Sequence, residues 1–377
     1  MRVCAVICEY NPFHLGHAYH LRAAREASGA DYVLCLMSGA LTQRGAFARH
    51  DKWLRARAAL ENGADVVLEL PARFACSPAP DFAGGGVALL AALGVVTHLS
   101  FGCEPSALPL LSAAASLFKS ESPDFSAALQ RSLADGLPYP RARALAAEQL
   151  AEIPADLLAQ PNAALALEYL QALPETIVPV PIARWGSGYH DASLSALSSA
   201  TAVRAALARG GLTAALAAVP SPEALRAAEE SGFVHEEEAL TQALLYRLRT
   251  ASPAELAALY GMDEGLENRF IAAAQTCSTR ETLLDCVKTR RYTRARLSRL
   301  CAYALLNLTR DFAQTHRAPD YARVLGFRKS AAPLLKTINQ RSSIPLITKA
   351  ANFDRSNPLF ALDVRAQDLW SLGVSNP

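Results

Sequence analysis

Four short apolar runs recur at near-even intervals through the first hundred residues, and this alternation limits the possible folds more than any other feature. They are VCAVIC (3–8), DYVLCLMSG (31–39), DVVLELP (65–71) and VTHLSFG (96–102). Between them lie helix-length stretches: Leu15 to Ser28, DKWLRARAALENGA, and the Ala/Leu-rich run from Phe82 to Leu93. A strand that is apolar throughout must be covered on both faces, and a helix-length connection lets the next strand run parallel to it. The pattern predicts β-α-β units and an α/β fold with a parallel sheet. TIVPVPIARW (176–185) predicts a fifth strand, reached through a helical region. Ligands of such sheets bind at the carboxyl ends of the strands. Gly84, Gly85 and Gly86 follow no strand directly and read as close helix packing, not as a phosphate loop.

With 377 residues, 51% of them hydrophobic, the chain is long enough for two or three units. We divide it into an α/β domain over residues 1–205, which holds the strand-end site described below, an acidic helical segment over 206–275 and a basic helical region over 276–377. The net charge of +2 hides a split. Residues 287–345 hold 13 Lys and Arg against 2 Asp and Glu, a local net of +11 beside −9 for the remainder. Such asymmetry predicts a polyanionic partner for one end of the molecule. No apolar run is long enough to span a bilayer, and the five-residue run before Glu9 is too short for a signal-peptide core. A cytoplasmic protein without a membrane partner is expected, and no obligate protein partner is evident. The eight cysteines include no CxxC pair, which argues against structural zinc.

The first apolar run leads directly into EYNPFHLGHAYHL (9–21). Pro12 and Phe13 mark a turn, and a helix is expected from His14 or Leu15. His14 and His17 are three apart and share a helix face, with Gly16 leaving the surface between them bare. Free amides and the positive dipole end at that helix start would add to an anion site. Two imidazole donors there suit the charge that builds on an α-phosphate under attack. Paired histidines also bind zinc, but no third ligand at a suitable spacing completes a set, so the expected metal set is none. His20 is turned away from His14 and reads as a rim or structural residue.

A strand, then HxGH, then a helix is the signature of the HIGH-type nucleotidyltransferase superfamily, whose Rossmann-like parallel sheet is the fold the resemblance implies. Several longer blocks narrow it: MSGALTQRGAFARHDKWLRARAALENGADVVLELP, SFGCE, RWGSGYHDASLSALSSATAVR, TLLDCVKTRRYTRARLSRL and YARVLGFRKSAAPLLK. In order and over nearly the whole chain, they resemble the bacterial tRNA(Met) cytidine acetate ligase family. The resemblance implies activation of acetate by ATP to acetyl-adenylate and pyrophosphate. The acetyl group then passes to the wobble cytidine of elongator tRNA(Met). ATP and acetate are implied as substrates, Mg²⁺ as carried with ATP, and His14 and His17 as catalytic.

The ATP site implied by the resemblance comprises Ile7, Cys8, Glu9, Tyr10, Asn11, Pro12, Phe13, His14, Leu15, Gly16, His17, Ala18, Tyr19 and His20, with Gly102, Asn162 and Arg184. Ser199, Thr201 and Arg204 in SSATAVR resemble the superfamily's second phosphate motif; helix capping is their plainer role. Gln43, Arg44 and Gly45 follow the second strand and so reach the same rim, and Asp51 reads as the N-cap of the next helix. Two positions depart from the family pattern, Ala40 and Ala163, where asparagine is usual. In VKTRRYTRARLSRL (287–300), Lys288, Arg290, Arg291, Tyr292, Arg294 and Arg296 would present a cationic helical surface to RNA, with Tyr292 able to stack on a base. Competing readings are a small-molecule adenylyltransferase, a non-catalytic RNA-binding protein and an acetyl-CoA-dependent acetyltransferase. The basic end argues against the first and the intact HxGH against the second, and no CoA fingerprint supports the third.

Overall fold

The computed structural model describes residues 1–120, 122–183 and 199–374. Every predicted strand is present: β1 (Val3–Cys8), β2 (Tyr32–Ser38), β3 (Val66–Leu70), β4 (His98–Gly102) and β5 (Val178–Ile182). These five run parallel, with Val3 opposite Tyr32, Leu34 opposite Val66, Cys4 opposite His98 and His98 opposite Val178. Period-two alternation divides the core between the two faces. Val3, Ala5, Leu34, Leu36, Val66 and Leu68 face one layer. Cys4, Val6, Val33, Cys35, Met37 and Val67 face the other, under α1 (Leu15–Ser28) and α2 (Lys52–Glu61). A Cβ on Gly85 would collide with Phe74, and one on Gly86 would stand 2.7 Å from Ile7 Cδ1, so these glycines do serve close packing.

The sheet order is β5-β4-β1-β2-β3-β6-β7. Direction of winding reverses between β1 and β4, which places a crevice at their carboxyl ends. The last two strands are a departure from the purely helical C-terminal region that the sequence suggested. β6 (Ala322–Phe327) pairs antiparallel with β3, and β7 (Leu346–Ile347) pairs parallel with β6. The pairing is anchored by charge: Glu69 on β3 meets Arg323 of β6 at 3.1 Å and Lys52 at 2.7 Å, all three side chains well buried. A second core of helices between Thr241 and Leu306 packs with Trp370, and Leu41 and Cys76 reach into it from the segments that follow β2 and β3.

Candidate active site

The segment after β1 is held in one shape from several sides. Tyr10 adopts a left-handed φ of 50°, and the Asn11–Pro12 peptide is cis. Glu9 Oε1 accepts the Gln43 amide at 2.7 Å, and Asn11 Oδ1 accepts that of Arg49 at 3.0 Å. His14 then caps α1. Its Nδ1 accepts the Gly16 amide at 3.1 Å, while His17 Nδ1 accepts the His14 amide at 3.2 Å. The two rings stack with centroids 3.7 Å apart and planes 30° apart. His17 also packs on Tyr10 and Phe13, both buried. With each Nδ1 accepting, the neutral ring carries its proton on Nε2, so the pair offers two N–H donors of fixed tautomer.

This geometry corrects one expectation. The first amides of α1 do not stand open to an anion: Leu15 N–H donates to Ala218 O at 2.9 Å and Gly16 N–H to the His14 ring. His20 Nε2 lies 2.9 Å from Ser100 Oγ on β4, and burial lowers its pKa to about 4, so the ring is neutral. It ties α1 to the sheet, as a structural residue does. Cys8 Sγ donates to Leu36 O at 3.7 Å, and burial pushes that thiol well up, away from nucleophilic use. Ile7 packs on Gly86, and Ala18 and Tyr19 lie half-buried on α1.

The second motif comes to the same turn. Ser199 caps the Ala200–Ala208 helix by accepting the Ala202 amide at 3.2 Å. From that helix Arg204 donates to Asn11 O and, at 3.3 Å, to Thr201 Oγ1. Gly102 ends β4 across the crevice, where a Cβ would meet no described heavy atom within 4 Å. Asn162 is exposed in the first turn of the Pro161–Ala172 helix. That helix packs on β4, with Tyr169 and Phe101 rings 5.8 Å apart. Arg184, with the RWGSGYHD block, lies outside the described residues. Ala40 is buried, its carbonyl accepting the Ala48 amide at 2.8 Å; Ala163 is buried too. Among the described residues, no group of three or more His, Cys, Asp or Glu is placed to hold a metal ion.

Several supports were not legible in the sequence. Arg55, fully buried on α2, donates to Glu9 O at 2.6 Å, Ser38 O and His50 O at 3.0 Å each, and Gly39 O. One guanidinium thereby joins the carboxyl ends of β1 and β2; in the sequence Arg55 stands out only with Asp51, Lys52 and Trp53 at the start of this helix, where a solvated face is the plainer reading. Asp51 caps α2 as expected, accepting the Trp53 amide at 2.7 Å. Arg49 and His50 both bind Glu229, each with a contact at 2.7 Å, and fasten the Pro222–Ser231 helix beside the site.

The basic run differs from its predicted form. Residues 288–293 form a loop, and a helix begins only at Arg294 (Arg294–Leu306). Tyr292 is 6% exposed and donates to Glu264 Oε2 at 3.0 Å, so it is not a base-stacking surface. Arg291 pairs with Glu264; Arg294 pairs with Glu281 and, at 2.6 Å, Asp285; Arg296 lies 3.7 Å from Asp263. Lys288 and Arg290 are exposed. The rim loop after β2 docks directly on this region: Arg299 donates to Gln43 O at 3.2 Å and Arg280 to Gly45 O at 3.4 Å. Gly45 has φ 85°, and a Cβ there would collide with the backbone of Ser298 and Arg299.

The family model described as HIGH Nucleotidyl Transferase matches residues 1–377. The tRNA(Met) cytidine acetate ligase of Halothermothrix orenii is 37% identical, covering 100% of this chain and 96% of its own. That of a Geobacillus species is 35% identical with the same coverages. The solved structure of Thermotoga maritima TmcAL bound with alpha-thio ATP superposes with a TM-score of 0.90 at 30% identity, over 99% of this chain and 95% of that one. The apo form of the same protein gives 0.91 at 31% identity. Matched from end to end by both sequence and fold, this chain belongs to the tRNA(Met) cytidine acetate ligase family of HIGH nucleotidyl transferases.

Proposed function

We propose that this chain is an ATP-dependent ligase that activates acetate as acetyl-adenylate and transfers the acetyl group to N4 of the wobble cytidine in elongator tRNA(Met). The observation that carries the reading is the stacked His14–His17 pair, locked by its Nδ1 contacts on the turn that follows β1, the strand beside which the winding of the sheet reverses. In the first step an acetate oxygen attacks the α-phosphorus of ATP in line. The bond to the β-phosphate oxygen breaks, and pyrophosphate leaves with the electron pair. Charge grows on the α-phosphate oxygens, where fixed donors stabilise it without reorganisation. Arg204, Ser199 and Thr201 stand beside the same turn, suited to the β- and γ-phosphates. The open face at Gly102 suits the adenosine, and Asn162 and Arg184 complete the proposed ATP set. Mg²⁺ is proposed only as a companion of the triphosphate. In the second step the cytidine amine attacks the acetyl carbonyl, loses a proton, and AMP departs. No cysteine nucleophile is needed, because the mixed anhydride is already activated.

Docking of the rim loop on the basic region supports a shared RNA substrate, held by Lys288, Arg290 and Arg291 with Arg294 and Arg296 beside them. A cytoplasmic location follows from that substrate; no helix among the described residues is long and apolar enough to cross a membrane. The test is pyrophosphate release from ATP with acetate, with and without bacterial tRNA, followed by nucleoside analysis of the tRNA. Acetate-dependent turnover and new N4-acetylcytidine are expected. His17→Ala, checked for an unchanged melt, should lose about 100-fold or more in the adenylation step. Turnover only with a phosphorylated cofactor precursor, and unmodified tRNA, would replace this reading with the small-molecule adenylyltransferase.

A further inference from the structure

The cysteines differ sharply in setting. Cys4, Cys35, Cys76, Cys103, Cys277 and Cys301 are buried, and Cys8 is partly covered at the end of β1. Cys286 is exposed on the Arg280–Val287 helix. Cys277 directly follows the Leu266–Thr276 helix, in extended conformation with φ −85° and ψ 146°. The two helices pack against each other, and the two Sγ atoms stand 3.3 Å apart. A disulfide needs about 2.05 Å, so the sulfurs must approach by only roughly 1 Å. Cys277 lies outside the regular helix, where a small side-chain rotation disturbs no hydrogen-bond ladder.

We propose that Cys277 and Cys286 form a reversible oxidative modification site, which closes to an intramolecular disulfide on reaction with a low-molecular-weight disulfide. The Cys286 thiolate attacks one sulfur of the reagent R–S–S–R, and R–S⁻ leaves with the bonding pair and takes up a proton. The Cys277 thiolate then attacks Cys286 Sγ in the mixed disulfide, and the second R–S⁻ leaves. The cysteines lose two electrons and two protons, and the reagent is reduced to two R–SH. Exposure selects Cys286 as the entry point, and proximity selects Cys277 as the resolving thiol. The closed bond staples a helical hairpin whose second helix begins at Arg280, a residue that reaches Gly45 O and, at 2.5 Å, Ser298 Oγ. The inference is independent of the proposed ligase activity.

The native full-length protein is incubated with oxidised glutathione, alkylated, and mapped by mass spectrometry without reduction. A cross-linked peptide joining Cys277 and Cys286 is expected, with an intact mass lower by two hydrogens and reversal by dithiothreitol. Cys277→Ser should instead accumulate a stable glutathione adduct on Cys286, and Cys286→Ser should remain unmodified at Cys277. A wild-type protein that stays reduced, retains the mixed adduct, or links a different pair would overturn the proposal. Because Cys286 is exposed, its serine variant should melt as the wild type does, and this keeps the comparison free of unfolding.

Discussion

Arg204 donates to the carbonyl of Asn11 from 193 positions along the chain, so one guanidinium sets the distance between the two motifs of the site. Arg204→Ala should lower acetate-dependent pyrophosphate exchange by about 100-fold, the usual cost of a 1 Å displacement in a reacting site. Arg204→Lys should recover part of that loss in kcat, since a point charge replaces a planar fork. Two other residues give the fold an acid limit. Burial alone would raise Glu229, but its bonds to Arg49 and His50 outweigh this and hold it at about 2. Its stabilisation is complete above the ordinary value of 4.5 and is lost as pH falls toward 2. His20, lowered by burial to about 4, must take up a proton on unfolding once pH drops below 6.5. Stability therefore declines with falling pH from 6.5 to 4, and Tm measured by calorimetry should show it. His20→Asn should make that decline shallower without abolishing it, because burial also lowers His50, His98 and His235, and Glu229→Gln should do the same for the window below. None of these contacts was legible in the sequence, where the partners lie far apart. His14 and His17 were, because a helix cap and its third residue are local.

At the scale of elements, the loop after β2 bears the most constraint. Gly45 combines a left-handed φ with a backbone neighbour where a side chain would project. Gly45→Ala should destabilise by about 2–4 kcal/mol, through strain and forced separation from the Arg294–Leu306 helix. Urea denaturation read as a shift in midpoint at constant slope would measure it. The five parallel strands were plain in the sequence because strands covered on both faces are written as unbroken apolar runs. β6 was not. ARVLGF carries an arginine, and its place depends on Glu69 of β3, far earlier in the chain and outside any local window. The loop at 288–293 departs from the expected helix for a related reason: Tyr292 is buried and bonded to Glu264, a tertiary contact that overrides local propensity.

For the whole molecule, the charge split is real in sequence but partly cancelled in space. Asp263 and Glu264 from the acidic segment, with Glu281 and Asp285, neutralise several arginines of the basic run. Lys288 and Arg290, with Arg328, Lys329 and Lys336 further on, stay exposed. Arg290→Ala should weaken tRNA binding, lower the salt slope of log K by about 1, and leave acetate-dependent pyrophosphate exchange unchanged. Filter binding across a salt series, beside the exchange assay, separates the two effects. The antiparallel pairing of β6 with β3 has one more consequence, for biosynthesis. While the chain emerges from the ribosome, β3 is complete early but keeps a bare row of amides and carbonyls until Phe327 has been made. A nascent chain interrupted before Ala322 carries an open edge that any neighbouring strand can template on. The open side of β3 is thus covered by a strand translated long after it.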